Sequence, residues 1–492
     1  MARRVRLSLV AVSLLAGSSL GLACGSSGSG GSNQATGDDG GAEGAAASDA
    51  GPGGDAQAEA AGYPAYSPTD VPQVVSAGGP VMKAPKIVPV IFANDDATSP
   101  AKLEDFVNKV GATDYWKAAT AEYGVGPATG AAPIVLTAAD NPPAAMADSD
   151  IDTWLSAKLN ANDPAFGKPD ANTLYALFYP SSVTIYQGGG TGGPPTGDGG
   201  APEGGTGTSD GGTAGSDAGT GGSDAGSGGI PQGASLSCVN FGAYHANVTL
   251  DAAHNNMDVA YAVMPRCATD PIEPGIDVVN ITTASASHEF AEAASDPFPM
   301  TKAAYASVDG PHRYWSRVLG GGENGDMCAQ TPSSFTTFAE LPYQVQRIWS
   351  NKAAMAGGDP CMPLPQGDVY FNSVPQVTDT FSVTGGSGST TTYKGVKIAV
   401  GQSATVPLKL FSSGPTSGDW TVEGIDGQYI RTQDPTQALL KFSFDKTTGH
   451  NGDTVNMTIN VVAAGRSKTE TFLIESKLGG QRFLWAGIVG SM

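Results

Sequence analysis

His288, Glu289 and Glu292 are the residues of this chain best spaced to do chemistry together. They fall in the stretch TTASASHEFAEAASDP, residues 282–297, which is rich in alanine, opens on small hydroxyl residues and ends on a proline after Ser295-Asp296. Those features predict one helix. His288 and Glu292 stand four residues apart, so they project from one face, one turn above the other. Glu289 lies about 100° further round, close enough to face something held between them. This is the layout of the H-E-x-x-H metal helix, in which two ligands grip zinc and the intervening Glu activates water. Glu292 takes the place of the second His, and a carboxylate also ligates zinc. The plain alternative is a surface helix carrying two acids and a histidine. The five-residue pattern by itself does not separate the two.

A metal held by His288 and Glu292 needs a third ligand from elsewhere in the chain. The glycine-rich turn GGGENGDMC, residues 320–328, is the best supplier, offering Glu323 or Asp326 beside Cys328. Taken alone, these two acids read as a solvated turn. A His with two carboxylates is a harder donor set than that of most zinc peptidases, so manganese, iron and calcium stay admissible beside zinc. His245 offers a further ligand or a transition-state stabiliser, but a lone histidine of this kind is more often a hydrogen-bonded structural residue. His254, His312 and His450 have no supporting company. After Cys24, four cysteines remain and allow three pairings. Chain order favours Cys238–Cys267 and Cys328–Cys361, each closing a loop of roughly thirty residues and contributing about 3 kcal/mol. No C-x-x-C spacing occurs, which argues against a structural zinc knot or thioredoxin-like chemistry.

The elements that must position these residues alternate. Lys86–Phe92 reads as a buried strand whose Pro89 marks an edge or a bulge. Helical spacing follows over Ala101–Tyr123, then a strand at Pro133–Thr137 and a helix at Asp150–Leu159 capped by Asp148 or Ser149. Leu174–Tyr179 is a central-strand candidate, and Val259–Met264 is another strand just before the motif helix. This describes an α+β or α/β layer over residues 62–365. Residues 188–229 interrupt it with Gly, Thr, Ser, Asp and Pro, including GSDAG at 215–219 and 222–226. They read as a disordered insertion within one domain, because the chemistry lies on the far side and the strands on the near side.

From residue 366 to 492 short alternating runs separated by Gly, Asp and Ser turns predict an immunoglobulin-like β-sandwich without a cysteine pair. At the other end, Arg3, Arg4 and Arg6 precede an apolar run over Leu7–Leu15, and Leu22-Ala23 is followed by Cys24. Residues 1–24 therefore read as an export signal of lipoprotein type, with Cys24 lipidated, against a plain secretory signal that leaves an odd thiol. Residues 25–61, nearly devoid of bulky apolar side chains, read as a flexible tether. The chain of 492 residues carries a formal charge of −21, which argues against nucleic-acid binding.

Several of these segments together resemble the exordium (phosphate-induced protein) family of secreted proteins and bacterial proteins with an H-E-x-A-E-x-x-[ST]-[DN]-P helix. The matching residues are Gly78-Gly79-Pro80-Val81, Cys238 with Tyr244-His245, the strand end Tyr261–Cys267, and His288 to Pro297. Glu323-x-x-Asp326-x-Cys328 and Ile348-Trp349 before Cys361 complete the set, which spans residues 75–363. The long insertion and the C-terminal β-region depart from the family. The resemblance implies an extracellular, zincin-like α+β domain of metallopeptidase type.

Two functions follow. In one, the chain is an exported, lipid-anchored metallopeptidase-like hydrolase: His288, Glu292 and Glu323 or Asp326 hold a divalent metal, zinc in the first instance, and Glu289 is the general base. In the other, it is a non-catalytic cell-surface protein whose metal is structural and whose β-sandwich binds an extracellular protein or glycan. Membrane contact is through the N-terminal lipid alone. Replacing Cys24 by Ser is expected to move the protein from the membrane fraction to the soluble fraction and to abolish acyl labelling. Unchanged partitioning would dismiss the anchor.

Overall fold

The computed structural model describes residues 62–188, 230–231, 233–269, 275–384, 389–465 and 468–490. The signal segment, Cys24, the tether and the insertion apart from Gly188 lie outside the described residues. Strand β1 (Lys86–Ile91) is followed by helices α1 (Ser99–Val110) and α2 (Asp114–Thr120). The single helical run expected over 101–123 is thus two helices. Gly111 ends the first, and the Thr113 side chain accepts the Trp116 N–H to start the second. Helix α3 (Asp148–Asn160) begins two residues before the expected Asp150, so Asp148 and Ser149 lie inside it, and Asp150 accepts the Ala147 N–H at 3.2 Å. Strands β2 (Thr173–Tyr179), β3 (Tyr244–Thr249) and β4 (Asp258–Pro265) complete the long members of the central sheet.

The sheet runs β1-β2-β4-β3, with short strands at Thr129–Gly130 and Ile134–Val135 on the free side of β1. β1, β2 and β4 are parallel, and β3 closes the edge antiparallel. Pro89 fits because its side of β1 is interrupted there. The carbonyls of Ile87 and Ile91 accept from Ala131 and Leu136, so the missing N–H of Pro89 faces the gap between the two short partners. Alternation along β2 splits the core: Leu174, Ala176 and Phe178 face one side, and Tyr175, Leu177 and Tyr179 the other. α3 covers the second side through Ile151, Leu155 and Leu159.

The first side is covered by α1 and by the motif helix α4 (Val278–Ser295), which meet through Phe106 and Phe290 with ring centroids 6.1 Å apart. α4 starts four residues before the hydroxyl-rich stretch expected to open it, because Asp277 caps it by accepting the N–H groups of Val279 and Asn280. The hydroxyls serve for docking instead. Strand β5 (Leu341–Gln346) lies along the helix: Thr283 Oγ1 donates to the Gln344 carbonyl at 2.8 Å, and Ser287 Oγ accepts from the Gln346 N–H at 2.9 Å. Between α4 and β5 come the short helices α5 (Tyr314–Leu319) and α6 (Asp326–Ala329). Nearly every residue of α4 is buried, which its small side chains permit.

The C-terminal part is β-rich, with two larger sheets beside a two-stranded one of Thr380–Thr384 and Thr390–Lys394. One contains Phe371–Pro375, Ser403–Ser412, Thr454–Val461 and Leu440–Phe444, and the other is built around Trp420–Asp426, Thr469–Leu478 and Gln481–Gly490. They face each other through pairs such as Phe371 with Trp420, at 5.2 Å, and Phe442 with Phe472, at 5.7 Å. The described residues form one compact unit, and an apolar cluster runs from α4 through Trp315 of α5 into the β-rich part. Trp315 packs edge-on against Trp349 at 6.0 Å and Trp485 at 5.4 Å.

A polar contact accompanies this seam. His312 Nδ1 sits 2.9 Å from Asp309, and its Nε2 is 3.5 Å from Asp70, which also pairs with Lys394 of the β-rich part. Burial disfavours the imidazolium, but Asp309 and Asp70 outweigh it and raise the His312 pKa to about 9. A pKa raised on folding stabilises fully below the unfolded value near 6.5 and is lost as pH rises through about 9. The loss for this one group is on the order of 3 kcal/mol. The thermal midpoint of the wild type is therefore expected to fall between pH 6.5 and 9 more steeply than that of His312→Gln. Parallel pH profiles would show that the contact carries no stability.

Candidate metal centre

Three elements bring the site together. α4 presents His288, Glu289 and Glu292; β3 presents His245; the turn before α6 presents Glu323 and, at its first helical residue, Asp326. His245 reaches the site by the period of two in its strand: Tyr244 and Val248 pack on the α3 side, so His245 points to the α4 side. It pairs across the ladder with Ala262, whose small side chain leaves room. All six site residues are buried, Glu323 to 2 % and His288 to 6 % relative exposure.

Glu292 is the hub. Its Oε1 accepts the N–H groups of Gly325 and Asp326, each at 3.0 Å, and its Oε2 lies 3.1 Å from His288 Nε2. Asp326 Oδ1 lies 3.7 Å from the same nitrogen. His288 Nδ1 is 3.0 Å from Gln346 Oε1, while Gln346 Nε2 donates to the Gly325 carbonyl at 2.7 Å. With the amide oriented by that second bond, Nδ1 is a donor to Gln346, and Nε2 faces Glu292 and Asp326. A backbone-anchored side chain that fixes the tautomer in this way is what metal-ligating histidines use.

The second histidine is arranged alike. His245 Nδ1 lies 3.3 Å from Glu289 Oε2, and its Nε2 lies 3.5 Å from Glu323 Oε2. His245 Nε2 and both carboxylate oxygens of Glu323 are buried without a hydrogen-bond partner. Such groups are costly unless something positive meets them. Two sets of three buried side chains could hold a metal ion: His288, Glu292 and Asp326, and His245, Glu292 and Glu323. The donor set fits a divalent cation on chemical grounds: imidazole nitrogens and carboxylate oxygens, with no soft ligand.

Electrostatics separates the acids. Burial raises the pKa of Glu292, but the charges of His288 and His245 and the backbone N–H bonds prevail and hold it below the usual carboxylate range. Glu323 has no such relief. Burial and then the neighbouring charges of Glu292, Asp296, Asp326 and Glu289 push it well above that range. His288 is raised well above the ordinary imidazole value, because Glu292, Glu289 and Asp326 outweigh the cost of burial.

The expected residues therefore converge, and the two alternative acids take different places, Asp326 by His288 and Glu323 by His245. His245, weighed above toward a purely structural role, stands inside the site; its position beside the cysteine-bearing segment was the available signal. Gln346 and its amide were not singled out, and nothing in their local sequence marks them. The Cys238–Cys267 and Cys328–Cys361 disulfides form as chain order suggested, the second pinning the turn that carries Glu323 and Asp326. Among the described residues no helix is long and apolar enough to cross a membrane.

No protein-family model matches the chain, and comparison with curated proteins gives no match. Among solved structures it is similar to domains 4 and 5 of the S-layer protein SbsC, at 17 % identity and a TM-score of 0.14, over 32 % of this chain and 90 % of that one. Domains 1–6 of SbsC align at 18 % identity and a TM-score of 0.15, over 30 % and 23 % of the two chains. A twitchin kinase fragment with immunoglobulin domains from C. elegans aligns at 16 % identity and 0.12, over 25 % and 20 %. Likenesses at such TM-scores carry no argument here.

Gly325 tests the packing of the centre directly. A Cβ there would meet Glu292 Oε1 at 2.7 Å and His288 Nδ1 at 2.8 Å. Its backbone is right-handed helical, at φ −75°, so an alanine would be strained by contact alone. Gly325→Ala is expected to lower stability by roughly 1–3 kcal/mol in chemical unfolding. Gly310→Ala, where nothing lies within 4 Å, should be neutral. Equal effects would show that the turn does not press on the helix.

Proposed function

We propose that the chain is an exported metallopeptidase-like metalloprotein: a zincin-like domain with a divalent ion, zinc in the first instance, on its H-E-x-x-E helix, followed by an immunoglobulin-like sandwich. The observation that carries this reading is the buried convergence of His288, Glu292 and Asp326, with His288 Nε2 facing both acids and its Nδ1 bonded to Gln346. Two disulfides support an oxidising compartment, in keeping with export and with a lipid on Cys24. A divalent cation so held supplies Lewis acidity and makes nearby water a better acid.

His288 and Glu292 are the ligands supplied by the helix, and Asp326 the one supplied by the turn. Gln346 keeps the proton of His288 on Nδ1, and the Gly325 and Asp326 N–H groups hold Glu292 Oε1 so that Oε2 points inward. Glu289 Oε2 faces His245, which leaves Oε1 to take a proton from a water and pass it to a leaving amine.

The burial of Glu289, at 3 % relative exposure, favours a second reading in which the centre is closed and structural. The β-sandwich then does the work of binding, to an extracellular protein or glycan.

Metal analysis and proteolysis assays on four proteins separate these readings. Wild type and Glu289→Gln are expected to retain metal after purification without chelators, and Glu292→Ala to lose it. On an unfolded protein substrate, Glu289→Gln should fall by about two to four orders of magnitude in rate. Asp326→Asn, which removes the ligand from the turn, is expected to weaken metal retention; tight metal on the wild type with no cleavage by it selects the structural reading. A metal-free wild type would dismiss both.

A further inference from the structure

We propose that the centre is built for two divalent cations sharing Glu292, one between His288 and Asp326 and the other between His245 and Glu323. This rests on the metal-binding reading above and extends it from one ion to a pair.

Both triads are complete and buried, and Glu292 belongs to each. Each histidine has an oxygen near Nδ1, that of Gln346 at 3.0 Å or of Glu289 at 3.3 Å, and each turns Nε2 to a carboxylate of the turn, Asp326 at 3.7 Å or Glu323 at 3.5 Å. One cation at the His288 side leaves the other half without a partner: both oxygens of Glu323 and Nε2 of His245 stay unbonded inside the protein. A second cation meets all three at once.

Glu292 is suited to sharing because Oε1 is taken up by backbone N–H groups, so Oε2 faces both histidines, at 3.1 Å from His288 Nε2 and 3.7 Å from the Nδ1 edge of the His245 ring. Ion pairs bridged in this way sit about 3.5–4 Å apart, the scale of the distances between these side chains. A mixed imidazole and carboxylate set takes zinc or manganese. On this view Glu289 is a positioning residue that orients His245, in addition to any part it has in proton transfer.

The test is to count metal. The full chain is dialysed against zinc or manganese, freed of excess, and its ions per chain are measured, with the spin-resonance spectrum recorded for the manganese form. The expected result is two ions per wild-type chain and an exchange-coupled manganese spectrum. Glu323→Gln and His245→Ala should keep one ion, and Glu292→Ala none. The wild-type spectrum needs no variant, so a misfolded substitution does not blunt the test. One ion per chain with an uncoupled six-line spectrum, unaltered by Glu323→Gln, overturns the pair while leaving the single-metal reading intact. No bound ion in the wild type overturns both.

Discussion

Glu292 holds the structure of this centre together, because one carboxylate ties a buried helix to a turn that arrives thirty residues later. Its Oε1 closes the first N–H groups of α6, and its Oε2 stands at His288. Either contact alone would leave a buried charge half satisfied, which is costly in a protein interior. With both, the turn has one position on the helix. Gly325 permits the approach, Asn324 donates to Ser295 Oγ at 2.8 Å, and Asp326 Oδ2 accepts the Glu323 N–H at 2.9 Å. The acids are thereby placed before any ion is considered.

That turn is held from outside as well. The Asn324 carbonyl accepts the Trp349 N–H at 2.9 Å, and Trp349 belongs to the short ladder with Cys361–Met362 that also carries the disulfide to Cys328. Arg347, buried, pairs with Asp359 at 2.7 Å and bonds to the Cys361 carbonyl. Trp349 in turn packs on Trp315, and Trp315 on Trp485 of the final strand. The β-rich part is therefore not an appendage. A short chain of aromatic contacts runs from its last strand to the backbone of the residue next to Glu323.

This arrangement explains why the centre is both acidic and closed. The strands and α3 supply an apolar base, and α4, stripped to alanine, serine and threonine on most positions, is thin enough to be enclosed on every side. Large side chains along α4 would have held β5 and the turn away. Enclosure removes water from the carboxylates and raises the cost of leaving their charge unmatched.

Much of this was legible locally. The phase of one helix put His288 and Glu292 on a common face, the spacing Glu-x-x-Asp-x-Cys marked the turn, chain order suggested the disulfides, and alternation announced the strands of the β-rich part. These are properties of three or four successive residues, and short-range geometry decides them. The start of α4 was less legible, since Asp277 caps it from outside the alanine-rich stretch. What no local pattern held was who meets whom. His245 lies in a strand, 43 residues before His288, and reaches it because β3 pairs antiparallel with β4, so that its odd residues face α4. Gln346 fixes a histidine tautomer only because β5 docks on Thr283 and Ser287. Glu323 and Asp326, equivalent as candidates in the sequence, part company through a single turn of backbone that sends one to each histidine. The residue types and the helix phase belonged to the sequence; the closure of the centre, and the sharing of Glu292 between two histidines, came from strand pairing and burial, which act between residues far apart in the chain.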